Sequence, residues 1–466
     1  MFIKSQSCRL PSAFAWILGL LVVAVIILGF TAGAGESGES HPRDWSTRQL
    51  SLAEALDLAL QQNGTILKGK SDLEAAYGIV VQTRAVALPK VQVAGQFQAI
   101  AENSIDTPAS LPIQLGTDKN WGLEIRLVQS IYEGGRINSA LRSAKLTQDQ
   151  ALLQYQAVVA DTLLAVRINY YNILLAAQQI VVREASVNLL QRELNDQQRR
   201  FAAGTVPRFN VLRAEVAVAN ARPQLIRVRN AERVAKNRLV DLLGYNLPRS
   251  VGEDVPVQLT DKLTAAPYAI DLSAAIGQAL AKRPEIGALR KAEALRAENI
   301  INASAGYKPS VQIFGGYGDR NSSFTSDLTT DRHGWLAGAQ LNWNLFDGLL
   351  PRGKVMEAKA IHQKSQTELS DTSRRIELEV RTAYSDFIES REVLESQKKV
   401  QEQAEESLRL AKARADAGTG TQLDVLNAET ALTEARTTQS LALHDYAVAV
   451  ARLERAMGAM TATPQP

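Results

Sequence analysis

"AGTGTQLDVLNAET", residues 417–430, breaks a long helical periodicity with two glycines and two threonines inside five residues. The same interruption stands 214 positions earlier, at residues 203–216, "AGTVPRFNVLRAEV". Ala203/Ala417, Gly204/Gly418, Thr205/Thr419, Val211/Val425, Leu212/Leu426, Ala214/Ala428 and Glu215/Glu429 are identical between the two. A break used twice belongs to the architecture of the whole chain.

The correspondence extends well beyond the two breaks. "LSLAEALDLALQQN" from Leu50 matches "IDLSAAIGQALAKR" from Ile270, and Pro89-Lys90-Val91-Gln92-Val93 matches Pro309-Ser310-Val311-Gln312-Ile313. Trp121 pairs with Trp335, "IYEGG" from Ile131 with "LFDGL" from Leu345, and Gly244 with Gly458. The expected organisation is two homologous repeats, 50–244 and 270–458, around a linker, 245–269, that carries Pro248, Pro256 and Pro267. Each half reads as a short helix (51–62; 271–282) and a longer one (about 65–87; 285–306). Two alternating stretches follow, then a helical pattern of about 65 residues, the quoted break, and a last helix of about 35.

Flanking segments bound the setting. Lys4 and Arg9 precede an apolar run from Ala13 to Phe30, and Ala32 and Ala34 form an A-x-A site, the pattern of a secretory signal over residues 1–34. The run is also near the minimum for a membrane helix, so an uncleaved anchor is the other reading. No other stretch reads as long and apolar enough to span. Residues 35–49 are an N-terminal extension and 459–466 a C-terminal tail. Removing the signal takes the net charge from +3 (52 minus 49) to +1 (50 minus 49), without the concentrated basic face that nucleic acid requires. Cys8, the only cysteine, would leave with it, so neither a lipid-modified cysteine nor a disulfide is expected.

The strand candidates, about 90–103, 119–131, 309–320 and 333–345, each have one apolar and one polar face. Trp121, Leu123, Ile125 and Leu127 oppose Gly122, Glu124, Arg126 and Val128; Trp335, Leu341 and Trp343 oppose Gln340, Asn342 and Asn344. Alternation alone fits a sheet lying on a water-soluble core equally well. Lengths of 9–11 residues with terminal aromatics match a tilted membrane strand. Four strands cannot close a barrel and eight leave no lumen, so three chains with twelve strands make the smallest assembly with a pore. In that arrangement Glu124 and Arg126 face the lumen, because a base at the lipid midplane costs about 2–4 kcal/mol.

A helix of 65 residues is about 100 Å long, more than any bilayer crossing requires. Its stripe, including Leu152, Tyr155, Val159, Leu163, Val166, Tyr170 and Ile173, packs one face and leaves the other wet. A solvated coiled-coil scaffold or adhesin, secreted or periplasmic, shares that pattern.

Taken together, the paired "AGT…VL.AE" breaks, the duplicated order of elements, "KRPEI" at Lys282, "YKPSVQI" at Tyr307 and the terminal "RLERAMG" resemble the TolC-like outer-membrane efflux and secretion factors over nearly the whole mature chain. The resemblance implies a mainly α fold with β strands. It implies a homotrimer whose twelve-stranded transmembrane β-barrel, four strands per chain, lies in outer-membrane lipid and continues into a long periplasmic α-helical barrel. It also implies a passive, non-catalytic duct for efflux or type I secretion, docked to a periplasmic adaptor and an inner-membrane pump of RND, ABC or MFS type. The turns 204–210 and 418–424 would be hairpin tips, with Gly204, Thr205, Val211, Leu212, Gly418, Thr419, Val425 and Leu426 as adaptor contacts. Asp424, Asn427 and Asn210 would line the periplasmic aperture. Well-known members carry a second aspartate where this chain has Asn427, and a tyrosine and an arginine in place of Ala415 and Gly420, so a cation-attracting ring and a closing lock are expected to differ. Helix capping is the plain alternative for Asp424 and Asn210, a C-cap that for the glycines, and inter-helix packing that for the valines and leucines.

No enzyme is expected. His41, His333, His362 and His444 are scattered in sequence and lack an HExxH or cysteine partners, so neither a metal site nor a cofactor is expected. "GGYGD" from Gly315 lacks a phosphate loop's Lys-Ser/Thr and reads as a barrel loop.

Overall fold

The chain runs β1 (Gln49–Leu50), α1 (Leu52–Gln62), α2 (Gly64–Arg84), a 3-10 turn (Ala85–Ala87), β2 (Lys90–Ala99), β3 (Lys119–Glu133), α3 (Arg136–Ala202) and α4 (Arg208–Leu242). After β4 (Gln258–Leu259) come α5 (Leu272–Lys282), α6 (Pro284–Ser304), a 3-10 turn (Ala305–Tyr307), β5 (Ser310–Asn321), β6 (Asp331–Asn342), α7 (Leu350–Asp416) and α8 (Gln422–Ala456). Helices of 11, 21, 67 and 35 residues thus occur in that order twice. This computed structural model describes residues 49–101, 117–246, 252, 254–321 and 328–460. The signal segment with Cys8, nearly all of the 35–49 extension, Pro248 and most of the tail lie outside them.

Local chemistry sets these boundaries. Ser51 and Glu54 form a reciprocal capping box that opens α1, and the Asp271 carboxylate accepts from the Ser273 and Ala274 amides to open α5. Pro284 takes the first position of α6, where its missing N–H and fixed φ cost nothing. β1 and β4 pair in parallel. There Asp261 Oδ2 accepts from the Leu52 amide (2.9 Å) and from the buried Tyr170 hydroxyl (2.7 Å), tying the linker to α1 and α3.

The larger sheet has the order β2-β3-β5-β6, antiparallel throughout, and the β3–β5 pairing joins the two halves of the chain. Its apolar face is bare: Val91 is 68% exposed, Phe97 65%, Trp335 81% and Leu341 66%. A sheet resting on a soluble core would bury those residues. β2 and β6 form the two outer edges, exposed along their full length. On the other face Glu124 and Arg126 are half-buried, with the Arg126 guanidinium 4.3 Å from the centre of the Phe314 ring.

Several expected boundaries shift. β2 stops at Ala99 rather than 103, β3 runs on to Glu133, and β6 is displaced to 331–342. Asp331 extends β6 because it pairs with Asn321, while the Trp343 indole donates to the Tyr307 carbonyl (3.2 Å) at the other end. "GGYGD" is strand interior rather than a loop, in register with both β3 and β6. A side chain at Gly316 would lie 2.7 Å from the Ile125 carbonyl, so glycine there permits close strand approach. One further expectation fails: α3 contains a segment long and apolar enough, by composition, to cross a membrane. Of that segment, 11% is buried within the chain.

Mid-helix packing and ion pairs fasten the hairpins together. Ile376, Val380 and Phe387 of α7 pack with Tyr446 and Leu453 of α8 and with Ala275, Ala279 and Ile286 of α5 and α6. Beside them the buried Arg283 pairs with Glu285 (3.2 Å) and Glu379 (2.6 Å), and the buried Arg455 with Asp161 (2.7 Å) and Glu285. Burial alone would raise the Glu285 pKa; hydrogen bonds from Arg455 and Arg283 outweigh it and hold the carboxyl below its usual range.

Two glycines in the same backbone conformation predict different costs. Gly418 has φ +73° with nothing within 4 Å of an added Cβ, whereas at Gly244 (φ +72°) the Cβ would lie 2.1 Å from the Gln62 carbonyl. Gly418→Ala should therefore lose about 1 kcal/mol for the left-handed backbone alone. Gly244→Ala should lose at least twice that in denaturant unfolding of the detergent-purified chain, and equal losses would contradict this packing.

Candidate functional site at the helical tips

Both tips are built on the same helix stop. After α3, the Gly204 amide donates to the Phe201 carbonyl (2.9 Å) and the Thr205 amide to Arg200 (3.0 Å); after α7, Gly418 donates to Ala415 (3.1 Å) and Thr419 to Arg414 (3.0 Å). With φ +72° and +73° at the glycines, each is a Schellman C-cap, so capping is what these glycines do locally. Thr205 and Thr419 add side-chain bonds to the same Arg200 and Arg414 carbonyls (2.9 and 3.3 Å).

The restarts differ. Thr421 is the N-cap of α8 and Asp424 its third residue. The Thr421 amide and hydroxyl donate to Asp424 Oδ2 (2.9 and 2.7 Å), and the Asp424 amide donates to Thr421 Oγ1 (3.3 Å). These hydrogen bonds from Thr421, with the Arg414 charge nearby, hold the exposed Asp424 carboxyl below the usual carboxylate range and keep it ionised at neutral pH. In the first half Pro207 is the N-cap of α4 and no side chain caps it. The capping alternative therefore fails for Asn210.

Burial sorts the remaining expected contacts. Gly204, Thr205, Leu212, Gly418 and Thr419 are exposed. Val211 packs with Leu194, Ala214 and Val218, and Val425 with Leu408, Ala428 and Leu432, inside their own hairpins. Leu426 is buried too. The side chains of Val211 and Val425 thus pack helices together within their hairpins.

Two grooves organise the polar residues. One, of about 940 Å³, brings Asp424, Asn427, Thr419 and Gly420 together with Lys399, Glu402, Glu406 and Arg414. Gly420 is tight there, since a Cβ would lie 2.9 Å from that of Arg414. The other, about 190 Å³, lies between the two hairpins and joins Asn210, Glu193, Gln197 and Arg213 to Thr421, Gln422, Leu423 and Leu426. Asn210 and Asp424 thus line neighbouring grooves, while Glu124 and Arg126 sit apart in the sheet.

Sequence reading missed the buried polar residues between the hairpins. Glu429 is 5% exposed although its counterpart Glu215 is exposed, and Glu429 Oε2, Gln197 Oε1 and Gln422 Nε2 are enclosed without hydrogen-bond partners. Burial pushes the Glu429 carboxyl up; Lys412 Nζ at 3.5 Å opposes this and Glu193 adds to it. The identity Glu215/Glu429 was visible in the sequence, but which copy would be covered was not.

The fold is that of an outer-membrane channel. The Campylobacter jejuni CmeC outer membrane channel superposes with a TM-score of 0.76 over 89% of this chain and 87% of that one, at 17% identity. Outer membrane protein TolC of Vibrio cholerae is 24% identical over 417 residues, 88% of this chain and 91% of the relative. The alkaline protease secretion protein AprF of Pseudomonas aeruginosa is 26% identical over 324 residues, 69% of this chain and 66% of the relative. Residues 55–245 and 275–459 match the family Outer membrane efflux protein, and the chain belongs to that family. It is an outer-membrane protein, and its relatives are channels rather than enzymes.

A protonation effect follows from Glu429. Its folded-state pKa is raised, so stability is fully present below the ordinary Glu value of about 4.3 and is lost as pH rises through the folded value. Glu429→Gln should melt higher than the parent chain at pH 7, and the gap should close near pH 4. A gap independent of pH, or of opposite sign, would contradict the assigned burial.

Proposed function

We propose that three copies of this chain form a passive duct. Four strands from each close a twelve-stranded barrel in the outer membrane, and the α3/α4 and α7/α8 hairpins continue it as a helical tunnel through the periplasm. The carrying observation is the sheet: its apolar side chains are bare, and its β2 and β6 edges are unpaired among the described residues. In hydrocarbon every backbone donor and acceptor needs a partner, so strands span only as closed barrels. Pairing β6 of one copy with β2 of the next provides closure, and twelve strands is the first such number with an open lumen. The matching helix lengths and the two separate family matches favour an internal duplication with repeats near 50–244 and 270–458. Glu124 and Arg126, opposite the apolar face, then line the lumen.

At the tips, Asp424, Asn427 and Asn210 are the aperture residues in this reading, and Gly204, Thr205, Leu212, Gly418 and Thr419 the surface met by a periplasmic adaptor. An inner-membrane pump of RND, ABC or MFS type would supply the cargo. A duct without a catalytic site leaves cargo choice to that pump, and AprF's name points to protein secretion as one use of this fold. A soluble coiled-coil scaffold is disfavoured by the bare apolar sheet.

Planar-bilayer recording tests both parts. The purified chain should give stepwise conductance, and its absence would refute the duct. Three ionised Asp424 carboxylates around an axis attract cations, so Asp424→Asn should lower cation over anion permeability by about two-fold or more. Unchanged selectivity would leave Asp424 with its capping role alone.

A further inference from the structure

We propose that Asp319, Asp331 and His333 form a binding site for a divalent transition-metal ion of the zinc class, clipping β5 to β6. Asp319 and His333 are direct cross-strand partners, and Asp331 lies two residues before His333, so all three side chains leave the same face of the sheet. Their ligand atoms, one from each residue, all lie within 4.8 Å of one another. Metal–nitrogen and metal–oxygen bonds of about 2.0–2.2 Å allow donors up to about 4.4 Å apart, so small side-chain rotations close the set.

Two further observations favour a cation at this place. Asp319 Oδ1 is shielded from solvent and has no hydrogen-bond partner, a costly state for a carboxylate that a bound cation relieves. The His333 ring is held in place by stacking on Tyr317, with centroids 6.3 Å apart and planes inclined by 29°. The trio also sits on the face that carries the apolar residues. Tyr317 pairs with Trp335, and the next pair on that face is Asp319 with His333. Charged groups in that position need either water or a counter-ion.

The donor set selects the metal. One imidazole nitrogen and two carboxylate oxygens suit zinc, cobalt, nickel or manganese, whereas an all-oxygen shell would suit calcium or magnesium. Asp331 and His333 are exposed, so water completes the coordination. No local pattern marks such a site, because its members are neighbours only through the register of β5 with β6.

Isothermal titration of the tag-free, detergent-purified full chain with zinc chloride should show one saturable site per chain. His333→Gln and Asp319→Asn should each weaken it at least ten-fold, whereas Asp371→Asn, at an exposed carboxylate of α7 paired with Arg374, should leave it unchanged. Cobalt should occupy the same site and show absorption bands that disappear in His333→Gln. No saturable binding, binding indifferent to both sheet substitutions, loss in Asp371→Asn, or equal affinity for magnesium would each overturn the assignment. None of these outcomes depends on conductance, so the site and the duct stand or fall separately.

Discussion

A four-stranded sheet with bare apolar side chains and two open edges has no stable solution as a single copy in water or in lipid. Every other feature of the chain is arranged around that constraint. The edges need partners, because unpaired N–H and C=O groups cost several kcal/mol each in hydrocarbon. The apolar face needs lipid. The helices that leave the strands at Arg136 and Leu350 cannot then fold back over that face, and each instead runs for 67 residues to its own tip.

The two halves use one plan with different chemistry. Both long helices stop at a left-handed glycine, but the second hairpin restarts with the Thr421–Asp424 box and the first with Pro207, which has no side-chain cap. Glu215 meets solvent while Glu429 is enclosed opposite Glu193 and Gln197. Enclosed and unpartnered polar atoms weaken that contact between the hairpins. The mid-helix cluster around Phe387 and the Arg283 and Arg455 ion pairs is its opposite: well packed, charge-satisfied on most sides and suited to remain fixed.

Much of the fold was legible because it is written in periodicity. The 3.6-residue stripe through Val166, Tyr170 and Ile173, and the alternation through Trp121–Leu127, found the helices and strands to within a few residues. Strand ends were less clear, since they are decided by cross-strand pairs such as Asn321–Asp331 that no local pattern reveals. "GGYGD" misled for a related reason: glycines that signal a loop in isolation here let strands approach closely. At the tips, the positions of Asp424 and Gly418 were readable, but the burial of Val211, Val425, Leu426 and Glu429 depends on how hairpins pack.

Closure of the sheet by copies of the same chain is the central claim, and counting the copies tests it most directly. Native mass spectrometry of the chain released intact from detergent should give three chains per particle. A particle of one or two chains would contradict the account, because four or eight strands leave no lumen.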